Sequence, residues 1–477
     1  MRVVVLACAL CWTSTCLAAV PAGDLSDLDA LPLHVAPPAA TAKAIEAAQD
    51  VKGSGPALFA VTVPLPVDLA GGVWDEPEAG VSRWRTRVYS AGAQSLLMEF
   101  ARFRVPEEAA LWIYDAGGHA VQGPYDARNH TADGSLWTAM VPGETAVIEL
   151  QVPTRRREDV ELHLGRLGHA YRNAAQLGDS GACNIDAVCP LGDAWREESR
   201  SVVKVQVPVT LGFVGLCSGT LVNNTAQDDR PFILTADHCG IGRIGSPASG
   251  VVVYWNFQNS ACGVDNAPDD QAQSGATLRA RDRDTDLSLI ELNQPPSAAF
   301  NVYYAGWDAS GAGGNSGVSI HHPSGDAKKI SEFTAPLVAA NVQITAGGPQ
   351  IPAWEVRRWA QGTTEEGSSG SGLWNQNRRI VGVLSGGSAA CEGNIDNDEP
   401  DFYARLERQW TAGAEPSAQL KAWLDPTGSG CRAIGGKNPG SAAPAECSDD
   451  SSGGGGGGAL GLSLLLALLA LCRYRIR

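Results

Sequence analysis

Short apolar runs separated by polar, Gly- and Pro-rich stretches make up most of the chain. The runs ALFAVTVPL, SLLMEFARF and AVIELQV lie in the first half, and SVVKVQVPV, PFILTADHC and RIVGVLSGG in the second. Runs of this length bounded by turn residues are typical of β-strands. Only WTAGAEPSAQLKAWLDP has a helical pattern, at about residues 418–424. The pattern therefore predicts an all-β protein with many short antiparallel strands.

Cysteine positions divide the chain into two parts. Of 12 cysteines among 477 residues, four lie in the terminal segments, and residues 20–177 contain none. The other eight are Cys183, Cys189, Cys217, Cys239, Cys262, Cys391, Cys431 and Cys447. This asymmetry indicates two separately built units, a β-sandwich-like domain at 20–177 and a second β domain at 178–426. A Gly/Ser-rich linker follows at 427–458, in which Cys431 and Cys447 are expected to close a small loop.

Both ends of the chain indicate export. Residues 1–19 begin with a positive charge, continue with an apolar stretch and end in small residues, which is the order of a secretory signal peptide. A lipoprotein anchor at Cys16 is the alternative. Residues 459–477 follow six glycines with an apolar stretch and a basic end. The stretch is shorter than the roughly 20 residues of a membrane-spanning helix. This layout resembles the GlyGly-CTERM sorting tails of exported bacterial proteins, which a membrane protease removes, and a plain transmembrane anchor is the alternative.

The net charge and the stretch EEGSSGSGLWN narrow the chemistry. A formal charge of −16 argues against nucleic acid as a partner, because phosphate binding requires a basic face. EEGSSGSGLWN, at 365–375, is either a flexible linker or a turn that carries a nucleophilic serine. No histidine follows Ser369 in the chain, so the Ser–acid–His order of α/β-hydrolases is excluded. The order His–Asp–Ser remains available.

A candidate of each type occurs in that order. His238 follows an apolar strand in ILTADHCG, and Asp286 enters the apolar strand of DTDLSLIEL, where a buried carboxylate needs a partner such as an imidazole N–H. Asp282 and Asp284 are alternatives for the acid. The histidine alone would more often be structural, and the acidic turn alone would more often be solvated.

Ser369 is the nucleophile that completes this order. Gly367 and Gly370 flank it and allow a tight turn, in which the N–H groups of Gly367 and Ser369 would form an oxyanion hole. The three motifs together predict a serine hydrolase.

Residues 183–426 closely resemble bacterial lysyl endopeptidases of the chymotrypsin fold. The resemblance rests on GACNIDAVCPLGD, LTADHCG, VVVYWNFQNSAC, DLSLIELN, IHHPSGDAKKIS and EEGSSGSG. It implies a double β-barrel that cleaves proteins or peptides after lysine without a cofactor or metal, with residues 20–177 as a pro-domain that inhibits until removed. It also implies three disulfides, Cys183–Cys391, Cys189–Cys262 and Cys217–Cys239.

The resemblance is weaker at the specificity pocket. It assigns Asp401, in DFYAR, as the acid that binds the substrate's basic side chain, with Ser385 and Gly386 at the pocket wall. The family's histidine is replaced by Ser385, and its tryptophan has no counterpart in PLVAANVQI, so cleavage after Lys alone or after both Lys and Arg is expected. The acids between Asp396 and Asp401 could instead form a solvated loop or a weak cation site. Maturation is expected at Gly178 by another protease, or at Arg172.

Two rival functions stay open at this point. One is a catalytically silent surface binding module built on a protease scaffold. The other is the same enzyme with a specificity other than lysine.

Overall fold

The computed structural model describes residues 27–39, 52–172 and 180–442. Within these ranges no helix is long and apolar enough to cross a membrane. The predicted signal peptide, the predicted maturation site at Gly178, Cys447 and the predicted C-terminal tail lie outside the described residues.

The leading domain is a sandwich of two β-sheets. Its strands are β1 (Leu33–Val35), β2 (Ala57–Asp68), β3 (Val73–Glu78), β4 (Val81–Tyr89), β5 (Ser95–Arg104), β6 (Ala110–Asp115), β7 (Val121–Tyr125), β8 (Leu136–Trp137), β9 (Val141–Pro142), β10 (Thr145–Pro153) and β11 (Glu161–Ala170). One sheet has the order β1-β4-β10-β6-β7, with β3 added to β4. In the other, β11 lies between β2 and β5, and β8 and β9 pair with β5. Buried residues from both sheets, including Trp84, Met98 and Ile148, form the core between them.

The second domain is built from shorter strands and three single-turn helices. Its strands are β12 (Ile185–Asp186), β13 (Val202–Val209), β14 (Phe213–Val222), β15 (Phe232–Ala236), β16 (Val252–Tyr254), β17 (Ala272–Ser274), β18 (Ala276–Asp282), β19 (Leu287–Leu292), β20 (Gly306–Asp308), β21 (Gly317–His321), β22 (Lys329–Phe333), β23 (Val338–Val342), β24 (Ile351–Val356), β25 (Gly372–Asn375), β26 (Arg379–Gly387), β27 (Cys391–Glu392), β28 (Ile395–Asp396), β29 (Asp401–Arg405) and β30 (Ala433–Ile434). The helices are α1 (Arg196–Ser199), α2 (Leu406–Gln409) and α3 (Lys421–Leu424).

Most of these strands form two largely antiparallel, barrel-like sheets, while β20 pairs with β26 in parallel and β27 and β28 form a separate pair. The first has the order β17-β16-β13-β14-β15-β19-β18, and the second the order β12-β22-β21-β25-β26-β29-β24-β23. Buried side chains from both sheets, such as Val205, Ile320 and Trp374, belong to one continuous apolar cluster. The all-β prediction and the double-barrel arrangement are confirmed. The predicted C-terminal helix is shorter than expected, because residues Pro416–Ala418 form a 3₁₀ turn and only α3 is α-helical.

The two domains share one sheet. The first part of β14 pairs antiparallel with β2 of the leading domain, with Phe213 opposite Val61 and Leu216 opposite Ala57. An apolar cluster crosses the same boundary and joins Phe59 and Trp137 to Tyr254. Each domain has its own core, but the leading domain also covers apolar surface of the second domain.

Three disulfides with both cysteines among the described residues link parts of the second domain. The structure contains Cys183–Cys391, Cys189–Cys262 and Cys217–Cys239, the pairings that the family resemblance implied. The Cys217–Cys239 bridge ties β14 to the turn that carries His238.

Candidate active site

The candidate residues His238 and Asp286 come from the first barrel and are in contact. His238 lies in the 3₁₀ turn Asp237–Cys239 directly after β15, and Asp286 directly precedes β19. Because β15 and β19 are paired, these two strand ends lie side by side. The Nδ1 atom of His238 is 2.9 Å from Oδ2 and 3.1 Å from Oδ1 of Asp286. The backbone N–H of His238 also donates to Oδ1 at 2.9 Å.

Asp286, and not its acidic neighbours, faces the histidine. Asp286 is only 2% exposed and has φ of 51°, a left-handed conformation that Asp tolerates better than most residues. Asp284 is exposed, and Asp282 accepts hydrogen bonds from the backbone and hydroxyl of Thr285. The buried carboxylate is therefore satisfied by the histidine that it orients.

Residues 365–371 form a buried turn in the second barrel rather than an exposed linker. The carbonyl of Ser369 accepts a hydrogen bond from the N–H of Ser218, and the hydroxyl of Ser218 donates to the Gly367 carbonyl. The N–H of Gly370 donates to the carbonyl of Leu384, on the neighbouring strand. Gly370 has φ of +85°, and a Cβ atom there would lie 2.1 Å from the Thr235 hydroxyl oxygen, so the position requires glycine.

The polar atoms around Ser369 are free to receive a reacting group. In the described ranges, neither Oγ of Ser369 nor Nε2 of His238 has a hydrogen-bond partner, although both atoms are buried. Across the same residues, the N–H groups of Gly367 and Ser369 have no acceptor either.

A second histidine, which the sequence analysis did not assign to the site, hydrogen-bonds to the turn of residues 365–371, which we call the serine turn. Nδ1 of His321 is 2.8 Å from the Ser368 hydroxyl, and Nε2 is 3.1 Å from the Ser331 hydroxyl. Burial, with smaller contributions from nearby Lys52 and Lys329, lowers the pKa of His321 to about 3. His321 is therefore neutral at physiological pH and acts as a hydrogen-bonding partner. Its place at the end of the apolar run GVSIH was the available signal.

Asp401 lies at the bottom of a buried pocket beside this turn. Its Oδ2 accepts hydrogen bonds from Nε1 of Trp359 at 2.8 Å and from the Thr364 hydroxyl at 2.7 Å. We call the space bounded by Asp401, Trp359, Thr364 and the Ala389 carbonyl the Asp401 pocket. The sequence analysis found no tryptophan in residues 336–344, but the pocket contains one, from the segment RRWAQG. Ser385 and Gly386 lie on β26 and pack against Gly53 of the leading domain.

The Asp401 pocket is occupied by a lysine from the leading domain. Nζ of Lys52 lies 2.6 Å from Oδ1 of Asp401 and 2.6 Å from the Ala389 carbonyl oxygen. It is also 2.9 Å from the hydroxyl oxygen and 3.1 Å from the carbonyl oxygen of Thr364. The side chains of Lys52 and Asp401 are 5% and 0% exposed, so this is a fully buried ion pair. Sequence reasoning missed it.

The other acids of this region do not line the pocket floor. Asp396 accepts a hydrogen bond from the Thr363 hydroxyl at 2.6 Å, and Glu399 is exposed. Burial raises the pKa of Asp396. Over the part of the chain that the structure describes, no three His, Cys, Asp or Glu residues are grouped to hold a metal ion.

Comparison with known proteins shows that this chain is similar to serine endopeptidases. Residues 177–404 match the family model described as "Lysyl endopeptidase, C-terminal domain". Residues 177–404 form a lysyl endopeptidase-like serine protease domain. Lysyl endopeptidase from Pseudomonas aeruginosa is 27% identical to the chain over 364 residues, which cover 71% of this chain and 76% of that protein. This alignment is longer than the protease domain, so it also includes part of the chain outside it. The serine endopeptidase prediction is confirmed.

Solved structures similar to the protease domain are more distant. The active form of the Rv3671c protease from M. tuberculosis is 16% identical and covers 55% of this chain and 91% of its own, with a TM-score of 0.33. The thermostable serine protease AL20, from an extremophilic microorganism, is 14% identical and covers 44% of this chain and 92% of its own, with a TM-score of 0.32. At these TM-scores they add nothing to the argument from sequence.

Proposed function

We propose that this protein hydrolyses peptide bonds on the carboxyl side of lysine, with Ser369 as nucleophile, His238 as general base and Asp286 as its orienting acid. The single observation that carries the specificity is the lysine ammonium bound to Asp401 in the pocket next to Ser369. The contact between His238 and Asp286 supports the assignment of the base, because it uses Nδ1, and no described residue hydrogen-bonds to Nε2.

The mechanism follows from the protonation of His238. The carboxylate of Asp286 accepts a hydrogen bond from Nδ1–H, so the proton of the neutral imidazole stays on Nδ1 and Nε2 carries the lone pair. Ser369 attacks the substrate carbonyl carbon while its proton moves to Nε2, and the N–H groups of Gly367 and Ser369 stabilise the resulting oxyanion. The C–N bond then breaks, and Nε2–H gives its proton to the leaving amine. Water repeats these steps on the acyl-enzyme and releases the new carboxylate and the free serine.

Lysine, rather than arginine, matches the dimensions of the Asp401 pocket. Four oxygen acceptors surround the Lys52 ammonium within 3.1 Å. An ammonium is a compact charge with three donors, whereas a guanidinium is longer, planar and broader. We therefore expect kcat/KM for lysyl peptides to exceed that for arginyl peptides by about 10⁴-fold, the lower end for sites whose buried polar groups are left unpaired by the wrong ligand.

Two measurements test this function. A fluorophosphonate should label the processed protein and its Ser371→Ala variant, which changes another serine of the same turn, but not Ser369→Ala. No labelling of folded, processed protein would favour a catalytically silent binding module. Cleavage-site profiling on a peptide library should show lysine before the cut; cleavage after small or acidic residues with none after lysine would refute the role of Asp401.

We also propose that the leading domain inhibits the protease domain and that the protein is exported. Lys52 in the Asp401 pocket and the β2–β14 pairing support the inhibitory role. Three disulfides fit an oxidising compartment. A sorting or processing protease for the tail remains part of this proposal, and the mass of the exported protein tests whether residues 459–477 are removed.

A further inference from the structure

Lys52 enters the Asp401 pocket with its side chain. It lies in VKGSGP, just before β2, and its ammonium reaches the bottom of the pocket. A substrate lysine would use the same contacts, so the two cannot be bound together.

The backbone next to Lys52 is not placed for cleavage. The Lys52 carbonyl oxygen would lie 3.1 Å from a Cβ atom at Gly386, which puts it beside β26. Attack by Ser369 requires the carbonyl oxygen at the N–H groups of Gly367 and Ser369. Among the residues described, neither of these groups has an acceptor. The pocket therefore holds the side chain of a lysine whose following peptide bond is held away from the nucleophile.

Gly53 keeps the backbone in this position. It has φ of +87°, and a Cβ atom there would lie 2.3 Å from the Ser385 carbonyl oxygen and 2.6 Å from Cγ2 of Ile344. Backbone and side-chain atoms thus confine the residue after Lys52, and only glycine fits. Gly53 and Ser54 also line a cavity of about 350 Å³, and His238 lines the same cavity.

We propose that Lys52 and Gly53 form a built-in, uncleaved plug of the lysine pocket. The plug blocks the pocket within the same chain, and the enzyme does not release itself by cutting after Lys52. This inference rests on the proposed lysine specificity, and it names the residues through which the leading domain inhibits. Release of the pocket then requires cleavage elsewhere, followed by departure of the leading domain.

The test measures access to the pocket in the full chain. All proteins carry Ser369→Ala, so that no peptide is cut, and the probe is a short fluorescent peptide with one lysine. We compare the parent, Lys52→Met, Gly53→Ala and the control Lys421→Met, which changes a lysine of α3 far from the pocket in sequence. A copy of the peptide with methionine in place of lysine reports binding that does not use the pocket.

We expect Lys52→Met and Gly53→Ala to bind the lysine peptide at least about 100-fold more tightly than the parent and Lys421→Met, because a tethered side chain competes at an effective concentration of about millimolar. Gly53→Ala keeps Lys52 but disturbs the backbone position of the next residue. It therefore still tests the plug if Lys52→Met does not fold. Equal binding by all four proteins would overturn the plug and leave the lysine pocket standing. Failure of every folded variant to bind would overturn the lysine pocket, and the plug with it.

Discussion

The buried histidine beside the serine turn predicts an acid-sensitive fold. His321 has a pKa of about 3 in the folded protein, against 6.5 for an ordinary histidine. The unfolded chain therefore binds a proton below pH 6.5 that the folded chain refuses until about pH 3, so stability falls as the pH falls through this window. From these two pKa values, the loss relative to pH 7 is about 2 kcal/mol at pH 5 and about 3 kcal/mol at pH 4.

The assay compares urea unfolding, followed by tryptophan fluorescence, of the Ser369→Ala chain and the same chain with His321→Gln. Glutamine keeps a donor and an acceptor for Ser368 and Ser331 but does not titrate. Other groups that titrate are common to both proteins, so the difference in unfolding free energy between them isolates His321.

We expect the stability advantage of the chain with His321 to shrink by about 3 kcal/mol from pH 7 to pH 4. An exposed histidine of the leading domain, changed in His119→Gln, is the control and should leave the pH profile unaltered. Parallel pH profiles for the parent chain and its His321→Gln variant would refute the assignment of a buried, neutral histidine.

Three further changes address the site. Asp286→Asn should lower kcat of the processed enzyme by about 10⁴-fold with little change in KM, since the histidine loses its orienting acid; a loss below tenfold would contradict that role. Asp401→Asn should lower kcat/KM for lysyl peptides by about 100- to 1000-fold, because it leaves a buried ammonium without its counter-charge; an unchanged ratio of lysyl to methionyl peptide cleavage would argue against it. Gly370→Ala should abolish fluorophosphonate labelling, because its Cβ would collide with the Thr235 hydroxyl 2.1 Å away; normal labelling would show that the turn adapts.

The sequence predicted those parts of the site that depend on local pattern. His238 and Asp286 each adjoin an apolar strand, and the glycines around Ser369 specify a tight turn, so short motifs and their order were enough to propose them as site residues. The strand-rich architecture followed from the short apolar runs separated by turn residues. The helix was overestimated because Gln419 has an extended backbone, with φ of −149° and ψ of 148°, so α-helical structure begins only after it.

Contacts between distant positions could not be predicted in this way. Lys52 and Asp401 are 349 residues apart, and the segment before β2 has no pattern that identifies a buried lysine. The hydrogen bond from Trp359 to Asp401 likewise joins two separate segments of the chain, so the sequence pattern alone did not place a tryptophan in this pocket. Such pairs are fixed by how the barrels and the leading domain pack, and that information is not local.

The sheet that continues from β2 into β14 separates cutting of the chain from switching on of the enzyme. Hydrolysis in the region between the domains would break one covalent bond but leave the strand pairing of Val61 with Phe213 and the apolar cluster around Tyr254 intact. The nicked complex would then have a lifetime of its own, set by the rate at which the leading domain dissociates or is digested. Activity would follow the first cut after a delay, and this delay would act as a timer between processing and proteolysis.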